Sequence, residues 1–344
     1  MSTILIASPL EAELAARIAE AHPGGAVIHR PDLVPAARYP ADHVGAPLVR
    51  DPEAEAEWRG LLARADILFD LDWTHLEDLP DLAPQLRWIQ ASSSGIGPLL
   101  SRHRYPQRLP DTVITRASGV HAQPLTEFAL MVMLMHARRH DLMATQQRAR
   151  RWTRFAGTDL RERTVVIIGL GAIGAELARC CAALGMRVVG VGRTAEVPEA
   201  AAPHLAGYHP HTALDAVLPE AEFLVLVAPH TAATRGLLGA DRLARLPRGA
   251  VLVNIARGAL VDEPALIAAL RSGHLGGAGL DVVADEPLAE SSPLWDLPNV
   301  LISPHSAGTS DRENARLVEL FLDNLARFRA GTPLRNVVQP RELL

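Results

Sequence analysis

The run Val165-Val166-Ile167-Ile168-Gly169-Leu170-Gly171-Ala172-Ile173-Gly174 constrains the fold of this chain more than any other stretch. Consecutive β-branched residues read as a strand buried on both faces, and the chain then turns straight into a helix on three glycines. Each glycine has a separate task in such a turn. Gly169 permits the tight turn, Gly171 lets the backbone approach a pyrophosphate, and Gly174 lets the new helix lie against its strand. The unpaired N–H groups of the first helical turn, around Ala172 and Ile173, then face anionic phosphates. Glycines at this spacing are by themselves a weak signal. Here an amphipathic run, Ala175 to Leu184, follows, and a second strand, Arg187 to Val191, completes a βαβ unit. The stretch reads as a dinucleotide-binding turn.

At 344 residues and 48% hydrophobic content, the chain is long enough for two domains with well-filled cores. No segment approaches an uninterrupted membrane span. The N-terminal Met1-Ser2-Thr3-Ile4-Leu5-Ile6-Ala7 reads as a first strand, not a basic leader. The two cysteines, Cys180 and Cys181, are adjacent within the helix after the glycine turn. They read as small core residues, with no disulfide framework and no thiolate metal site. A cytoplasmic protein is expected. A formal charge of −5 argues against a general nucleic-acid binder. Every basic residue is arginine, and the absence of lysine excludes Schiff-base catalysis and a P-loop lysine. Anions must then be held by arginine, helix N-termini or backbone amides.

Strand-like and helix-like runs alternate from end to end, the pattern of an α/β protein with parallel sheets. In the first part, strands are expected at Thr3–Ala7, Ala26–His29, Asp66–Leu71, Leu86–Gln90 and Thr112–Thr115. Helices are expected near Leu10–Ala21 and Glu53–Ala65, with a Pro-rich stretch between them up to Pro52. One long helix is expected from about Pro124 to Arg148. Beyond the cofactor unit, which begins at Thr164, strands are expected at Phe223–Val227, Ala250–Asn254, Gly277–Leu280 and Val300–Ser303. A last helix, Arg312 to Arg329, is separate from the cofactor sheet in sequence and free to return to the first domain.

Three segments near the ends of predicted strands carry chemistry: Val253-Asn254-Ile255-Ala256-Arg257-Gly258, Asp281-Val282-Val283-Ala284-Asp285-Glu286-Pro287-Leu288, and Ser303-Pro304-His305-Ser306-Ala307-Gly308. Ligands of open parallel sheets bind outside the carboxyl ends of the strands, so an Arg, a Glu and a His are offered to one cleft. A 2-oxo acid needs a planar cation for its carboxylate, and Arg257 can grip it bidentately. Hydride arriving at a keto carbon develops negative charge on oxygen and requires a proton donor within reach. His305 is the natural donor, and Glu286 beside it would favour the imidazolium and hold the ring's orientation. Taken singly, each has an ordinary explanation: an ion pair for Arg257, a loop carboxylate for Glu286, a turn position for His305. Their order behind a dinucleotide turn joins them.

With these segments, the chain resembles the D-isomer-specific 2-hydroxyacid dehydrogenases, in particular the glyoxylate/hydroxypyruvate reductases among them. Further points of likeness are Ser292-Pro293-Leu294-Trp295 before Pro298-Asn299-Val300, and Thr115-Arg116-Ala117-Ser118-Gly119-Val120 before Pro124-Leu125-Thr126-Glu127. The likeness spans nearly the full length. It implies two Rossmann-like, doubly wound parallel-sheet domains with a cleft between them. A substrate domain of residues 1–117 would be completed by 307–344, and residues 118–306 would form the dinucleotide-binding domain. It makes Arg257 the binder of the substrate carboxylate, His305 the acid/base and Glu286 its partner. Ser94 and Gly95, in Ala91-Ser92-Ser93-Ser94-Gly95-Ile96, match a loop whose backbone amides hold that carboxylate. Cofactor contacts are implied for Ala228, Pro229, Thr234, Ile255 and Ala256, and also for Asp281 near the nicotinamide carboxamide, His305 and Ala307. The helix near 124–148 would form a homodimer interface. No metal, nucleic acid or membrane is implied.

The chain also departs from the family pattern. NAD-dependent members carry an acid at the end of the second cofactor strand, for the ribose hydroxyls. Here Val188-Val189-Gly190-Val191-Gly192-Arg193-Thr194 has glycine at that position. Arg193 and the Thr194 hydroxyl would attract a 2′-phosphate that a carboxylate would repel. NADP(H) is therefore expected, with NAD(H) as the alternative if Arg193 is solvated and Glu196 serves the ribose. Arg116 and Gly97 replace the family's usual asparagine and acid, so substrate identity does not transfer. Glu286, where the formate dehydrogenase branch has glutamine, argues against that branch. The end at Leu344, without a regulatory domain, weakens an NAD-linked D-3-phosphoglycerate dehydrogenase reading. A dinucleotide-sensing corepressor shares this fold, but no basic DNA-facing segment is present. A small unphosphorylated 2-oxo acid such as glyoxylate or hydroxypyruvate fits best. His136 and His140 stand i, i+4 without a third ligand and read as a helix face. Arg148, Arg150, Arg151, Trp152 and Arg154 read as a charged helix end.

Overall fold

In the computed structural model, which describes residues 2–339, the chain divides into two compact units. One comprises the residues up to His121 together with those from Thr309 onward, and the other runs from Ala122 to Gly308. Residues 340–344, with which the expected substrate domain ends, lie outside the described residues.

The first unit is built on a five-stranded parallel sheet: β1 (Thr3–Ile6), β2 (Ala26–Ile28), β3 (Ile67–Phe69), β4 (Trp88–Gln90) and β5 (Val113–Thr115), in the order β2-β1-β3-β4-β5. Ile4, Leu5, Ile6, Ile67, Leu68, Phe69, Trp88 and Ile89 are all fully buried. This follows from covering a parallel sheet on both faces, and it explains why these strands read as unbroken apolar runs rather than alternating ones. The helix Pro52–Leu62 starts where Asp51 accepts the Ala54 N–H at 2.8 Å, with proline at its first position. The last helix, Glu313–Ala330, packs here: the Phe321 ring stacks on Trp88 at 4.8 Å and meets Phe69 edge-on at 5.2 Å.

The second unit has a seven-stranded parallel sheet: β6 (Thr164–Ile168), β7 (Arg187–Gly192), β8 (Gly207–Pro210), β9 (Phe223–Leu226), β10 (Ala250–Asn254), β11 (Leu275–Leu280) and β12 (Val300–Ile302). Their order is β12-β11-β10-β9-β6-β7-β8. The chain runs outward from β6 through β7 and β8, then returns to start β9 on the other side of β6. The switch point therefore lies between β6 and β9, where Ile168 pairs with Leu226, and the glycine turn follows β6 directly. The edge strand β8, Gly-Tyr-His-Pro, has no run of apolar or β-branched residues and was not expected from the sequence.

The expected single helix from Pro124 to Arg148 is two, Ala122–Ala137 and His140–Arg148. The break coincides with a contact from a later segment. The Ala137 carbonyl, which would accept the next helical N–H, accepts instead from Thr158 N at 2.8 Å, and Arg139 takes a left-handed conformation at φ 55°. The interruption separates His136 from His140, so the two do not share a continuous helix face. His136 meets the Phe223 ring edge-on, and its burial pushes its imidazole pKa down. Of the cysteine pair, Cys181 is fully buried as expected, whereas Cys180 is partly exposed beside Glu176 and Arg179. Among the described residues, no helix is long and apolar enough to cross a membrane.

Candidate active site

The glycine turn is forced by packing at two of its three glycines. Gly169 has φ 102°, and a Cβ there would lie 2.7 Å from Ala228 N; a Cβ on Gly174 would lie 2.0 Å from Gly169 O. The third, Gly171, is exposed, has an ordinary negative φ, and a Cβ on it would meet no atom within 4 Å. The protein itself thus places no demand on glycine at 171. That is the residue a closely approaching ligand would need bare. Gly171 also heads the helix Ala172–Ala183, which has no side-chain cap and no acidic residue in its first turn. Its leading N–H groups, at exposed Ala172 and half-buried Ile173, lack intrahelical acceptors. The turn therefore fits a dinucleotide pyrophosphate.

Ala228 and Pro229 follow β9, immediately beside this turn. Thr234 closes the loop after them: its hydroxyl donates to Pro229 O at 2.8 Å and accepts from Thr231 N at 2.7 Å.

The catalytic candidates follow three neighbouring strands. After β10, the buried Asn254 shapes the turn: its side-chain oxygen accepts Ala256 N at 3.1 Å and its amide donates to Arg257 O at 3.1 Å. Ile255 and Ala256 are buried there, and Arg257 is half-buried. The Arg257 guanidinium donates to Ala256 O at 2.6 Å, and among the described residues no carboxylate pairs with it. After β11, Asp281 ties its strand end to the next: its carbonyl accepts His305 N at 2.9 Å, and its carboxylate accepts Ala307 N at 2.8 Å. Glu286 bridges the same region, accepting Val283 N at 3.3 Å through one oxygen and meeting His305 Nδ1 at 2.7 Å through the other. After β12, His305 sits in the left-handed region at φ 53°. The backbone bonds from Asp281 hold that conformation. A Cβ on Gly258 would lie 1.8 Å from Val283 O, so the turn bearing Arg257 lies against the segment after β11. The structure thus joins Glu286 to His305 directly and sets Arg257 on the adjacent strand end.

In the other unit, the Ser94–Gly95 loop follows β4. It is anchored by Ser92 N donating to the Asp70 carboxylate at 2.9 Å and by Ala117 N donating to Ser93 O at 3.2 Å. Gly95 N already donates to Ser93 Oγ at 3.2 Å. Asp70 is buried, stands in the left-handed region at φ 67°, and also accepts the Trp73 indole N–H at 3.1 Å.

A family model for the NAD-binding domain of D-isomer-specific 2-hydroxyacid dehydrogenases matches residues 130–307. A glyoxylate/hydroxypyruvate reductase B of Yersinia pestis (strain Pestoides F) is 32% identical over 303 residues, 85% of this chain and 90% of that protein. The chain belongs to the D-isomer-specific 2-hydroxyacid dehydrogenase family. Among solved structures, a dehydrogenase of this family from Xanthobacter autotrophicus Py2, in complex with NADPH and MES, superposes with a TM-score of 0.77. It is 33% identical and covers 100% of this chain and 99% of its own. An NADPH-dependent glyoxylate/hydroxypyruvate reductase from Sinorhizobium meliloti, in complex with NADP and sulfate, gives a TM-score of 0.76 at 29% identity, covering 98% of each chain.

As a 2-hydroxyacid dehydrogenase, the chain is an oxidoreductase acting on a CH–OH group with a nicotinamide dinucleotide. Arg193 and Thr194 lie exposed just beyond β7, on the outer side of the glycine turn. Sequence reasoning named the residues that carry charge and missed those that hold them in place, namely Asn254, Asp70 and the clamping bonds of Asp281. Their bonds go mostly to backbone amides, which leave no residue-type signature in the partner.

Proposed function

We propose that this dehydrogenase reduces a small, unphosphorylated 2-oxo acid to the D-2-hydroxy acid with NADPH, and catalyses the reverse reaction with NADP+. The observation that carries the reading is the 2.7 Å contact between His305 Nδ1 and Glu286, one strand end away from Arg257, which has no carboxylate partner among the described residues. When bound, the reduced nicotinamide supplies a hydride to the keto carbon. An ionised carboxylate only accepts, so Glu286 fixes the proton of the His305 ring on Nδ1 and leaves Nε2 to deliver the transferred proton to the developing alkoxide. Arg257 keeps N–H donors for the substrate carboxylate, and the Ser94–Gly95 loop of the other unit carries the backbone N–H groups assigned to substrate. Asp281 holds the His305 loop and lies beside the assigned nicotinamide end. Ala228, Pro229, Thr234, Ile255, Ala256 and Ala307 line the cofactor side of the same strand ends.

NADPH is favoured over NADH because Gly192 removes the strand-end acid while Arg193 and Thr194 stand ready for a 2′-phosphate. The NADPH and NADP complexes of the two solved relatives support this. Glyoxylate and hydroxypyruvate head the substrate class, as in the names of the Yersinia and Sinorhizobium enzymes. The reading includes a homodimer formed through the Ala122–Ala137 and His140–Arg148 helices. Met131 and Leu134 are each 43% exposed, Met143 40% and Trp152 99%, an apolar concentration that a second copy would cover. It also includes a cytoplasmic location, in keeping with two free cysteines.

Initial rates at 340 nm, with NADPH and NADH in parallel against glyoxylate, hydroxypyruvate, pyruvate and a bulkier 2-oxo acid, test the reading. NADPH-preferring turnover with the smallest acids is expected. No turnover with any of them would overturn it, and NADH preference would overturn the 2′-phosphate assignment alone.

A further inference from the structure

Gly192, the last residue of β7, is glycine for a reason outside its own backbone. A Cβ built there would lie 2.2 Å from the hydroxyl oxygen of Tyr208 and 2.9 Å from its ring. Tyr208 stands on β8, the strand that pairs with β7, with Gly192 opposite Pro210. Its ring occupies the volume into which a side chain at 192 would project.

A second observation concerns what that ring does next. The Tyr208 hydroxyl donates to Thr194 O at 2.7 Å, and His211 Nδ1 donates to Arg193 O at 3.0 Å. Two residues of an exposed loop thus have both carbonyls tied down by the neighbouring strand and its continuation. In a trans peptide the N–H points opposite to the C=O. The N–H groups of Thr194 and Ala195 are therefore directed away from His211 and Tyr208, and no acceptor for either occurs among the described residues. With the Arg193 guanidinium, and with the Thr194 hydroxyl once it gives up its long 3.4 Å bond to Glu196 O, they make a set of donors for an anion.

We propose that Tyr208 is a specificity-determining positioning residue for the dinucleotide. Its ring excludes an acidic side chain from position 192, and its hydroxyl, with His211, holds the Arg193–Thr194 backbone so that its donors converge on a 2′-phosphate. The proposal rests on the assignment of Arg193 and Thr194 to that phosphate. Preference for the phosphorylated cofactor is then built twice. The repelling carboxylate is kept out sterically, and the attracting loop is ordered before the ligand arrives, which removes part of the ordering cost of binding. A further consequence is that Gly192→Asp alone must displace the Tyr208 ring before it can install the ribose-binding acid, because the hydroxyl end of that ring stands where the carboxylate must go.

The test is calorimetric titration of the full-length protein with 2′-phospho-ADP-ribose and with ADP-ribose, which differ only in the phosphate. Tyr208→Phe keeps the ring and removes the hydroxyl. It is expected to weaken 2′-phospho-ADP-ribose by about 3–10-fold, the worth of one hydrogen bond, while ADP-ribose is unaffected. The KM for NADPH should rise in step and that for NADH should not. Gly192→Asp with Tyr208→Ala is expected to gain ADP-ribose affinity, and Gly192→Asp alone is not. Equal weakening of both ligands by Tyr208→Phe, as a purely structural role would give, overturns the proposal. So does no weakening of either, or a switched preference in Gly192→Asp with Tyr208 in place. Wild-type protein that binds the two ligands equally overturns instead the 2′-phosphate assignment beneath it, and that is seen before any variant is made.

Discussion

At the scale of single residues, the glycines of the turn separate what the fold needs from what a ligand needs. A Cβ on Gly174 would press on the backbone carbonyl of Gly169 at 2.0 Å, so Gly174→Ala must move main chain. A loss of about 1–3 kcal/mol in unfolding free energy is expected, read by thermal or urea unfolding. Gly171→Ala meets nothing within 4 Å at a compatible φ, and should leave stability unchanged or raise it by about 0.4–1 kcal/mol. Its NADPH affinity should nevertheless fall at least tenfold, because the methyl stands where the pyrophosphate comes closest. Unaltered affinity in a folded Gly171→Ala protein would move the ligand away from the turn. For Arg257→Ala, losing one half of a charge pair costs about 2–5 kcal/mol. A fall in kcat/KM for the 2-oxo acid on the order of 10²-fold or more is expected, with NADPH binding retained; steady-state kinetics beside cofactor titration check both.

At the scale of elements, the strands of both sheets other than β8 were legible because burial on both faces leaves unbroken apolar runs, as in Ile4–Ile6 and Val165–Ile168. The trio Arg257, Glu286 and His305 was legible because charged residues just past such runs stand out. The break at Arg139 was not, because it coincides with a bond from Thr158, a segment outside the helix's own periodicity. Nor was β8, whose Tyr208 acts through a neighbour's carbonyl rather than through its own strand propensity. The start of the last helix hid more. Buried Glu313 meets His121 at 3.1 Å and His43 at 3.3 Å, two contacts between residues far apart in the sequence. Burial would raise the Glu313 pKa, but the two imidazoles outweigh it and hold the carboxyl down at about 2. Burial likewise pushes His43 down, but the carboxylates of Glu313, Asp70 and Asp42 outweigh it and leave it raised. The signs give a window. Glu313 stabilises above its unfolded pKa of roughly 4.3, and that contribution is lost as pH falls toward 2; His43 stabilises below roughly 6.5, and that is lost as pH rises through its higher folded value. Glu313→Gln should therefore cost most between about pH 4.5 and 6.5, on the order of 3 kcal/mol, and less on either side. Midpoints of unfolding across pH for both proteins check this; a pH-independent difference would contradict it.

At the scale of the whole molecule, the candidate residues of each parallel-sheet unit follow the carboxyl ends of its strands, where open α/β sheets bind ligands. The exposed Met131, Leu134, Met143 and Trp152 belong to the same scale. Leu134→Asp should convert a dimer to a monomer in light scattering, and a wild-type protein already monomeric at micromolar concentration would remove that part of the reading. The central claim is that His305, held by Glu286, delivers the proton as a 2-oxo acid is reduced by NADPH. Its most direct test is the rate of NADPH oxidation with glyoxylate or hydroxypyruvate by wild type and His305→Gln, with NADPH affinity measured on both. The account predicts that kcat falls by ~10²–10⁴-fold in the variant while the cofactor still binds; turnover by His305→Gln close to that of wild type would contradict it.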